Sequence, residues 1–155
     1  PVHVSGVTGR NVLRSTSVER RLVNGVRGSL KNTDDEWAFW KKNDSIAVTI
    51  DVGARKRLGK VSLGYLNHFG LGIHKPQKVE VWLSDNDVHY WKATEQTFGT
   101  DEIFAEGRFT EEMELIFKDV ARYVRVIMKG AGKCPEHHVR PGLEAQIYLD
   151  EVLIE

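Results

Sequence analysis

The chain has 155 residues, and its 22 Lys and Arg are balanced by 22 Asp and Glu, so the formal net charge is zero. This balance argues against a partner role with nucleic acid or an anionic membrane, both of which attract strongly basic surfaces. No apolar run has the length of a transmembrane helix, and the single cysteine, Cys134, excludes an internal disulfide. We expect residues 1–155 to form one domain, and the start at Pro1 suggests excision from a larger multidomain protein.

Short runs rich in β-branched and aromatic residues, separated by turn residues, indicate strands. We predict weak strands at 11–15 and 19–23 and stronger ones at 45–52, 61–66, 78–84, 88–94, 112–117, 123–128 and 146–154. Apolar residues alternate in 45–52 and 78–84, which predicts one buried face for each. The sequence SDND at 84–87 predicts a hairpin turn, and 100–106 a short helical turn. About eight strands at this spacing favour an all-β antiparallel sandwich.

Four segments resemble the motifs of discoidin domains, also called coagulation factor 5/8 type C domains. They are LVNGVRGS at 22–29, IDVG at 50–53, VEVWLS at 79–84 and ARYVRV at 121–126. Together with CPEHH at 134–138 and DEV at 150–152, their order is similar to the C-terminal module of bacterial family 20 β-hexosaminidases. Family 32 carbohydrate-binding modules share this fold. The resemblance implies a discoidin-like jelly-roll β-sandwich with a non-catalytic, carbohydrate-binding accessory role.

The implied partners are glycans ending in galactose or N-acetylhexosamine, and a parent catalytic domain of a glycoside hydrolase in cis. Such a bacterial enzyme would be periplasmic, cell-surface or secreted. One alternative is a structural spacer that packs on the catalytic domain and binds no sugar. Another is a protein- or lipid-binding discoidin domain with an apolar tip at Leu71, Gly72 and Ile73, although zero net charge makes an anionic membrane an unfavourable partner.

The resemblance also implies a structural calcium ion between the first loop and the closing strand. Carried over by position, its ligands would be the side chains of Asn24, Ser29 and Glu151, with backbone carbonyls of 22–29. Calcium takes six to eight oxygen ligands, which a tight loop containing glycine can supply. Asn24 stands where the family usually has Asp, which lowers the charge of the site. Alternatively, Asn24 and Ser29 make turn hydrogen bonds while Glu151 pairs with an arginine.

Three loops carry the aromatic and polar side chains that a sugar site needs, at 34–40, 67–74 and 135–140. Aromatic faces bind the C–H side of a pyranose, and His or Arg binds its hydroxyls. The predicted ligand contacts are Trp37, Trp40, His68, Phe69, His74, His138 and Arg140. In the alternative interpretation, the aromatic residues of 34–40 are core beneath the first loop and each histidine is an ordinary loop residue. His137 and Gln146 stand where relatives often have Trp, which favours the spacer.

Other chemistry is disfavoured by spacing. Cys134 with the adjacent His137 and His138 lacks the paired spacing of a structural zinc site, so a buried inert thiol is the better interpretation. The adjacent acids at 34–36 do not form the opposed pair that glycoside hydrolysis requires. We therefore expect a binding module with no catalytic residues.

Overall fold

A computed structural model describes residues 3–8, 27–33, 37–40 and 45–155. Its strands are β1 (His3–Thr8), β2 (Ala38–Trp40), β3 (Ser45–His68), β4 (Lys78–Ser84), β5 (Trp91–Thr97), β6 (Arg108–Lys129) and β7 (Ile147–Ile154). A 3-10 turn at Phe69–Leu71 follows β3, and a four-residue helix, α1 (Thr100–Ile103), precedes β6. The all-β prediction is confirmed, as is a short helix within 100–106. The predicted strands at 11–15 and 19–23 lie outside the described residues.

Neither helical segment in these ranges has the length or apolar character needed to cross a membrane.

The strands form one antiparallel hydrogen-bonded path in the order β2-β7-β3-β6-β4-β5, with β1 paired to β3. The prediction of separate strands at 45–52 and 61–66 is wrong, because β3 runs through both segments. The same holds for 112–117 and 123–128, which are both parts of β6. Pairing of β3 with β6 shifts register between Asp51 and Lys56 and between Leu58 and Lys60. Irregularities of this kind bend a strand without ending it, so the segment GARKR at 53–57 remains part of β3.

Because β3 and β6 are so long, each contributes to two halves of the molecule. Their first and last parts, 45–51 and 123–129, pair with each other, and β4 extends this half. The parts at 60–68 and 108–116 pair with each other, and β7 extends the second half. Buried side chains of both halves form one core cluster, for example Ile46 and Val126 with Leu63 and Leu149. The halves therefore pack as the two layers of a sandwich.

The predicted inward faces are confirmed. Alternate residues of 45–52 and 78–84 are at most 3% exposed, namely Ile46, Val48, Ile50, Val52, Val79, Val81 and Leu83. The hairpin turn after β4 is confirmed as well, because the Ser84 hydroxyl accepts hydrogen bonds from the N–H groups of Asn86 and Asp87. The next strand begins at Trp91 and not at Val88, because Asn86 Oδ1 holds the N–H of Val88 in the turn.

Two smaller apolar clusters lie beside the main core, and their side chains come in part from the segments that connect the strands. The first contains Trp37, Phe39, Leu66, Ile73 and Tyr148. The second contains Ile103, Phe104, Cys134 and Ala145. Backbone hydrogen bonds join the surrounding segments directly, from Phe69 N to Gly107 O and from Gln146 N to Gly72 O. The segments 67–74, 98–107 and 130–146 therefore meet around the end of β3.

Candidate functional site

The two tryptophans predicted to contact a sugar have no exposed surface. Trp37 and Trp40 are both 0% exposed. The Trp37 indole N–H donates to Ser29 O at 3.0 Å, and its ring lies edge-on to Tyr148 with centroids 6.5 Å apart. A Cβ added at Gly28 would overlap the Trp37 ring, so the first loop lies directly on the indole. The prediction that these tryptophans form a sugar platform is therefore wrong: Trp37 is core beneath the first loop, and Trp40 belongs to the main core cluster.

His74 and His138, also predicted as sugar contacts, are buried at 1% and 3% exposure. Their Nε2 atoms lie 3.0 Å apart, and their ring planes are nearly perpendicular. Phe69 and Phe104 cover the pair, with the Phe69 and His138 ring centroids 4.1 Å apart. The loops at 67–74 and 135–140 do converge, as a shared site requires. At His74 and His138, however, the two loops form a small internal core. The prediction that these two histidines contact a sugar is therefore wrong, because their side chains are not accessible at the surface.

Hydrogen bonds fix the tautomer of each histidine. The Arg140 backbone N–H donates to His138 Nδ1 at 2.9 Å, so a neutral His138 carries its proton on Nε2 and donates to His74. His74 Nε2 is then an acceptor, and its Nδ1–H donates to Asn67 Oδ1 at 3.0 Å. Asn67 Nδ2 donates to the carbonyls of Ala105 and Gly107, both at 3.0 Å, which fixes the amide orientation. Sequence reasoning missed Asn67, because an Asn at the end of a strand carries no signal of its distant partner.

This arrangement favours neutral rings. Burial, and then the neighbouring His138, lower the pKa of His74 from 6.5 to about 4. Burial lowers the pKa of His138 too, with further contributions from His137 and Arg140. Burial raises the pKa of the Cys134 thiol, which lies in the same region. At neutral pH the cluster is therefore uncharged.

Three of the predicted contacts reach the surface around this core. His68 and Phe69 are partly exposed and Arg140 is exposed. Arg140 Nε donates to Gly70 O at 2.7 Å, which ties the two loops together at their surface. Burial lowers the pKa of His68, and the positive charges of Arg108 and Arg140 lower it further. We name the set His68, Phe69, Gly70 and Arg140 the Phe69 surface; it presents the Phe69 ring together with the imidazole of His68 and the cationic side chain of Arg140.

The predicted calcium ligands are spread over different environments. Asn24 lies outside the described residues. Ser29 is exposed, and its hydroxyl accepts a hydrogen bond from Lys31 N–H at 3.2 Å. Glu151 is only 3% exposed on β7. Adjacent strand residues point to opposite faces, so Glu151 and its neighbour Asp150 do not face the same side of the strand.

Asp150 is the carboxylate that holds the first loop against β7. It accepts a hydrogen bond from Gly28 N–H at 2.9 Å and from Arg27 Nη1 at 3.2 Å. Arg27 also pairs with Glu112, and these groups line a cavity of about 220 Å³. Calcium needs oxygen ligands, whereas Asp150 is supplied with N–H donors and a cationic side chain, so its carboxylate does not fit that role. The family resemblance predicts Glu151 as the calcium ligand, whereas the carboxylate that accepts the hydrogen bond from the first loop is its neighbour Asp150.

The contact of Asp150 with Arg27 depends on Gly64, which lies on β3 beneath it. A Cβ at Gly64 would overlap both Asp150 Oδ1 and Arg27 Nη1. We expect Gly64→Ala to lower the free energy of unfolding by about 1–3 kcal/mol, because the buried carboxylate has to move. Urea denaturation measures the change. Gly99→Ala is the matched control, since nothing lies within 4 Å of a Cβ there, and equal losses in both variants would contradict the proposed overlap.

No protein-family model and no curated protein matches this chain. Solved structures match it in fold. The family 32 carbohydrate-binding module of AlyQ, in complex with 4,5-unsaturated mannuronic acid, is 14% identical with a TM-score of 0.58, covering 98% of this chain and 95% of that one. A family 32 module from Clostridium perfringens, in complex with GalNAc-β-1,3-galactose, is 14% identical with a TM-score of 0.58 and coverage of 96% and 93%. A chitosan-binding module from a Paenibacillus chitosanase/glucanase is 14% identical with a TM-score of 0.59 and coverage of 97% and 93%.

These likenesses show that the chain has a discoidin-like β-sandwich fold. More particularly, it has the fold seen in family 32 carbohydrate-binding modules. The fold expected from the sequence motifs is thereby confirmed. Since identity is only 11–14% across the matches cited, the likeness shows the fold, and the ligand has to be argued from the residues of this chain.

Proposed function

We propose that this chain is a non-catalytic glycan-binding module attached to a bacterial glycoside hydrolase that acts outside the cytoplasm. The observation that carries the proposal is the fold match over nearly the whole chain to modules with bound carbohydrate. One neighbouring structure joins such a module to an alginate lyase domain, which supports an accessory role in cis. By holding the catalytic domain near its substrate, the module would raise the local concentration of the enzyme.

The Phe69 surface is the proposed contact for the sugar. Phe69 offers a partly exposed ring to the C–H face of a pyranose, and its stacking on His138 holds that ring in place. Arg140 and His68 lie beside the ring and offer nitrogen groups to sugar hydroxyls or an acetamido oxygen. A small surface with one aromatic ring fits a terminal galactose or N-acetylhexosamine better than a long chain. Single-site affinity is expected to be weak, since a small sugar buries little apolar area.

A glycan-array screen with calcium present tests the proposal, followed by titration of the best ligand. We expect Phe69→Ala and Arg140→Ala each to weaken binding at least about tenfold, equivalent to about 1.4 kcal/mol. Trp91→Ala is the matched aromatic control, because Trp91 is 37% exposed on the edge strand β5, and it should bind as the parent does. A blank array from folded protein, or equal loss in the control, would contradict this assignment.

Structural calcium between the first loop and β7 is a separate proposal that rests on Asn24, Ser29 and Glu151. The melting temperature and the glycan titration are both measured after removal of divalent ions and then with Ca²⁺ or Zn²⁺ restored. Recovery of thermal stability with Ca²⁺ alone would support the ion in this role. If restored Ca²⁺ changes neither the melting temperature nor glycan binding, the calcium proposal is overturned.

A spacer that binds no sugar is the second candidate. The burial of Trp37 and Trp40 favours it, because the predicted aromatic platform is reduced to Phe69. A blank array together with stabilisation by the catalytic domain would support the spacer. The lipid-binding alternative loses its main feature, since Ile73 of the supposed apolar tip is 1% exposed and belongs to an internal cluster.

A further inference from the structure

A buried group of three metal-ligating side chains lies directly behind the Phe69 surface. His74, Cys134 and His138 are each at most 4% exposed, and their ligand atoms all lie within 4.8 Å of one another. The sequence places Cys134 near His137 and His138, a grouping that lacks the paired spacing of a structural zinc site. The structure places His137 at the surface and brings in His74 from a distant loop.

We propose that His74, His138 and Cys134 bind one thiophilic transition-metal ion, Zn²⁺ or Cu⁺, in a site separate from glycan binding. Two imidazoles and a thiolate are donors that these ions prefer. The two Nε2 atoms are 3.0 Å apart, close enough for one ion to contact both at about 2.0–2.1 Å, the usual zinc–nitrogen distance.

The backbone sets the positions of all three ligands. His74 N donates to Gln146 O at 2.9 Å, Cys134 N to Leu143 O at 2.7 Å, and His138 N to Pro135 O at 3.0 Å. These bonds come from two loops, at 67–74 and 130–146, that the ion would join. The site is therefore largely formed before an ion arrives, which lowers the entropy cost of binding.

Groups outside the three ligands orient His74 as they do in metal sites. Its Nδ1–H donates to Asn67 Oδ1, and the Asn67 amide is itself fixed by Ala105 O and Gly107 O. This leaves the Nε2 lone pair of His74 directed into the cluster. Metal-bound histidines almost always donate their second ring N–H in this way.

In the ion-free state, the proton on His138 Nε2 lies where the ion would bind, between the two rings. When an ion binds, the Cys134 thiol loses its proton to solvent and the His138 proton moves from Nε2 to Nδ1. The Arg140 N–H that now donates to Nδ1 has to turn away, which costs one hydrogen bond. Arg140 lies in an exposed turn, so this adjustment is local. The net exchange is one ion bound and one proton released.

The test titrates the reduced, metal-free whole chain with Co²⁺, a coloured substitute for Zn²⁺, and with Zn²⁺ and Cu⁺ against a chromogenic chelator. We expect one ion per chain, near-ultraviolet thiolate-to-cobalt absorption, release of one proton and a higher melting temperature. Cys134→Ser should lose the absorption and at least about tenfold in affinity. His137→Ala is the matched control, since that histidine is exposed, and it should behave as the parent does.

The parent chain alone decides the outcome, even where a ligand variant fails to fold. If neither Zn²⁺ nor Cu⁺ is taken from the chelator and Co²⁺ gives no thiolate band, the proposal is overturned. It is also overturned if binding is lost in His137→Ala and retained in Cys134→Ser. Zn²⁺ uptake and Cu⁺ uptake both support the site and distinguish which ion it takes.

Discussion

Trp37→Ala is expected to lower the free energy of unfolding by about 3–5 kcal/mol, the range for removing a fully buried tryptophan. Trp37 is 0% exposed, and it fills the space between the first loop and Tyr148 on β7. Its loss would leave a cavity and would also leave Ser29 O without the indole N–H. The midpoint of urea denaturation, with an unchanged slope, measures the loss.

Trp91→Ala provides the comparison for this variant. Trp91 is 37% exposed, and its N–H donates to Asp119 at 2.8 Å on the surface. Its removal should cost about 0.5 kcal/mol or less, as surface changes usually do. If Trp37→Ala kept full stability and lost only sugar binding, Trp37 would be a ligand contact and not part of the core.

Acid is expected to destabilise the metal-free protein between pH 6.5 and pH 4. The folded pKa of His74 is lowered from 6.5 to about 4, so the folded state prefers the neutral ring. Its stabilising contribution is therefore complete above pH 6.5, decreases as pH falls, and is gone below pH 4. A shift of this size corresponds to about 3 kcal/mol. Protonation of His74 at Nε2 would also place two N–H groups against each other across the 3.0 Å contact with His138 Nε2.

Urea denaturation of chelated protein at a series of pH values checks this expectation. Within the part of the chain that the structure describes, the titratable groups that face the pair are neutral or cationic, namely Cys134, His137 and Arg140. In His74→Phe, the free energy of unfolding should decrease much less between pH 6.5 and pH 4, whatever the effect of the substitution at neutral pH. His137→Ala should lose stability over this pH range nearly as the parent does. If the pH dependence disappeared in His137→Ala, the assignment to His74 would be contradicted.

The sandwich itself could be predicted from the sequence because alternation reports burial directly. Residues such as Ile46, Val48 and Ile50 recur at the period of a strand, and all three are buried. The continuity of β3 could not be predicted in the same way. The composition of 53–57 is that of a turn, and only pairing of Lys56 and Arg57 with β6 keeps it in the ladder.

The candidate site was only partly predictable, for a physical reason. An aromatic residue in a loop can be core or ligand contact, and the choice depends on what covers it. For Trp37 the cover is Gly28 and Ser29, eight or nine positions earlier in the chain. Likewise, the sequence shows two loops that contain His74 and His138, but their 3.0 Å contact is a long-range consequence of folding.

The two long strands have a consequence for how the molecule opens. Because β3 and β6 pair from Ser45↔Lys129 to His68↔Arg108, neither layer can detach while the other keeps its ladder. Amide hydrogens near Ile46 and near Leu63 should therefore exchange with solvent through the same rare global opening. In contrast, β5 pairs with β4 alone among the described strands, so its amides should exchange sooner through local fraying. Under mechanical load the chain should yield in one step, as a single cooperative unit.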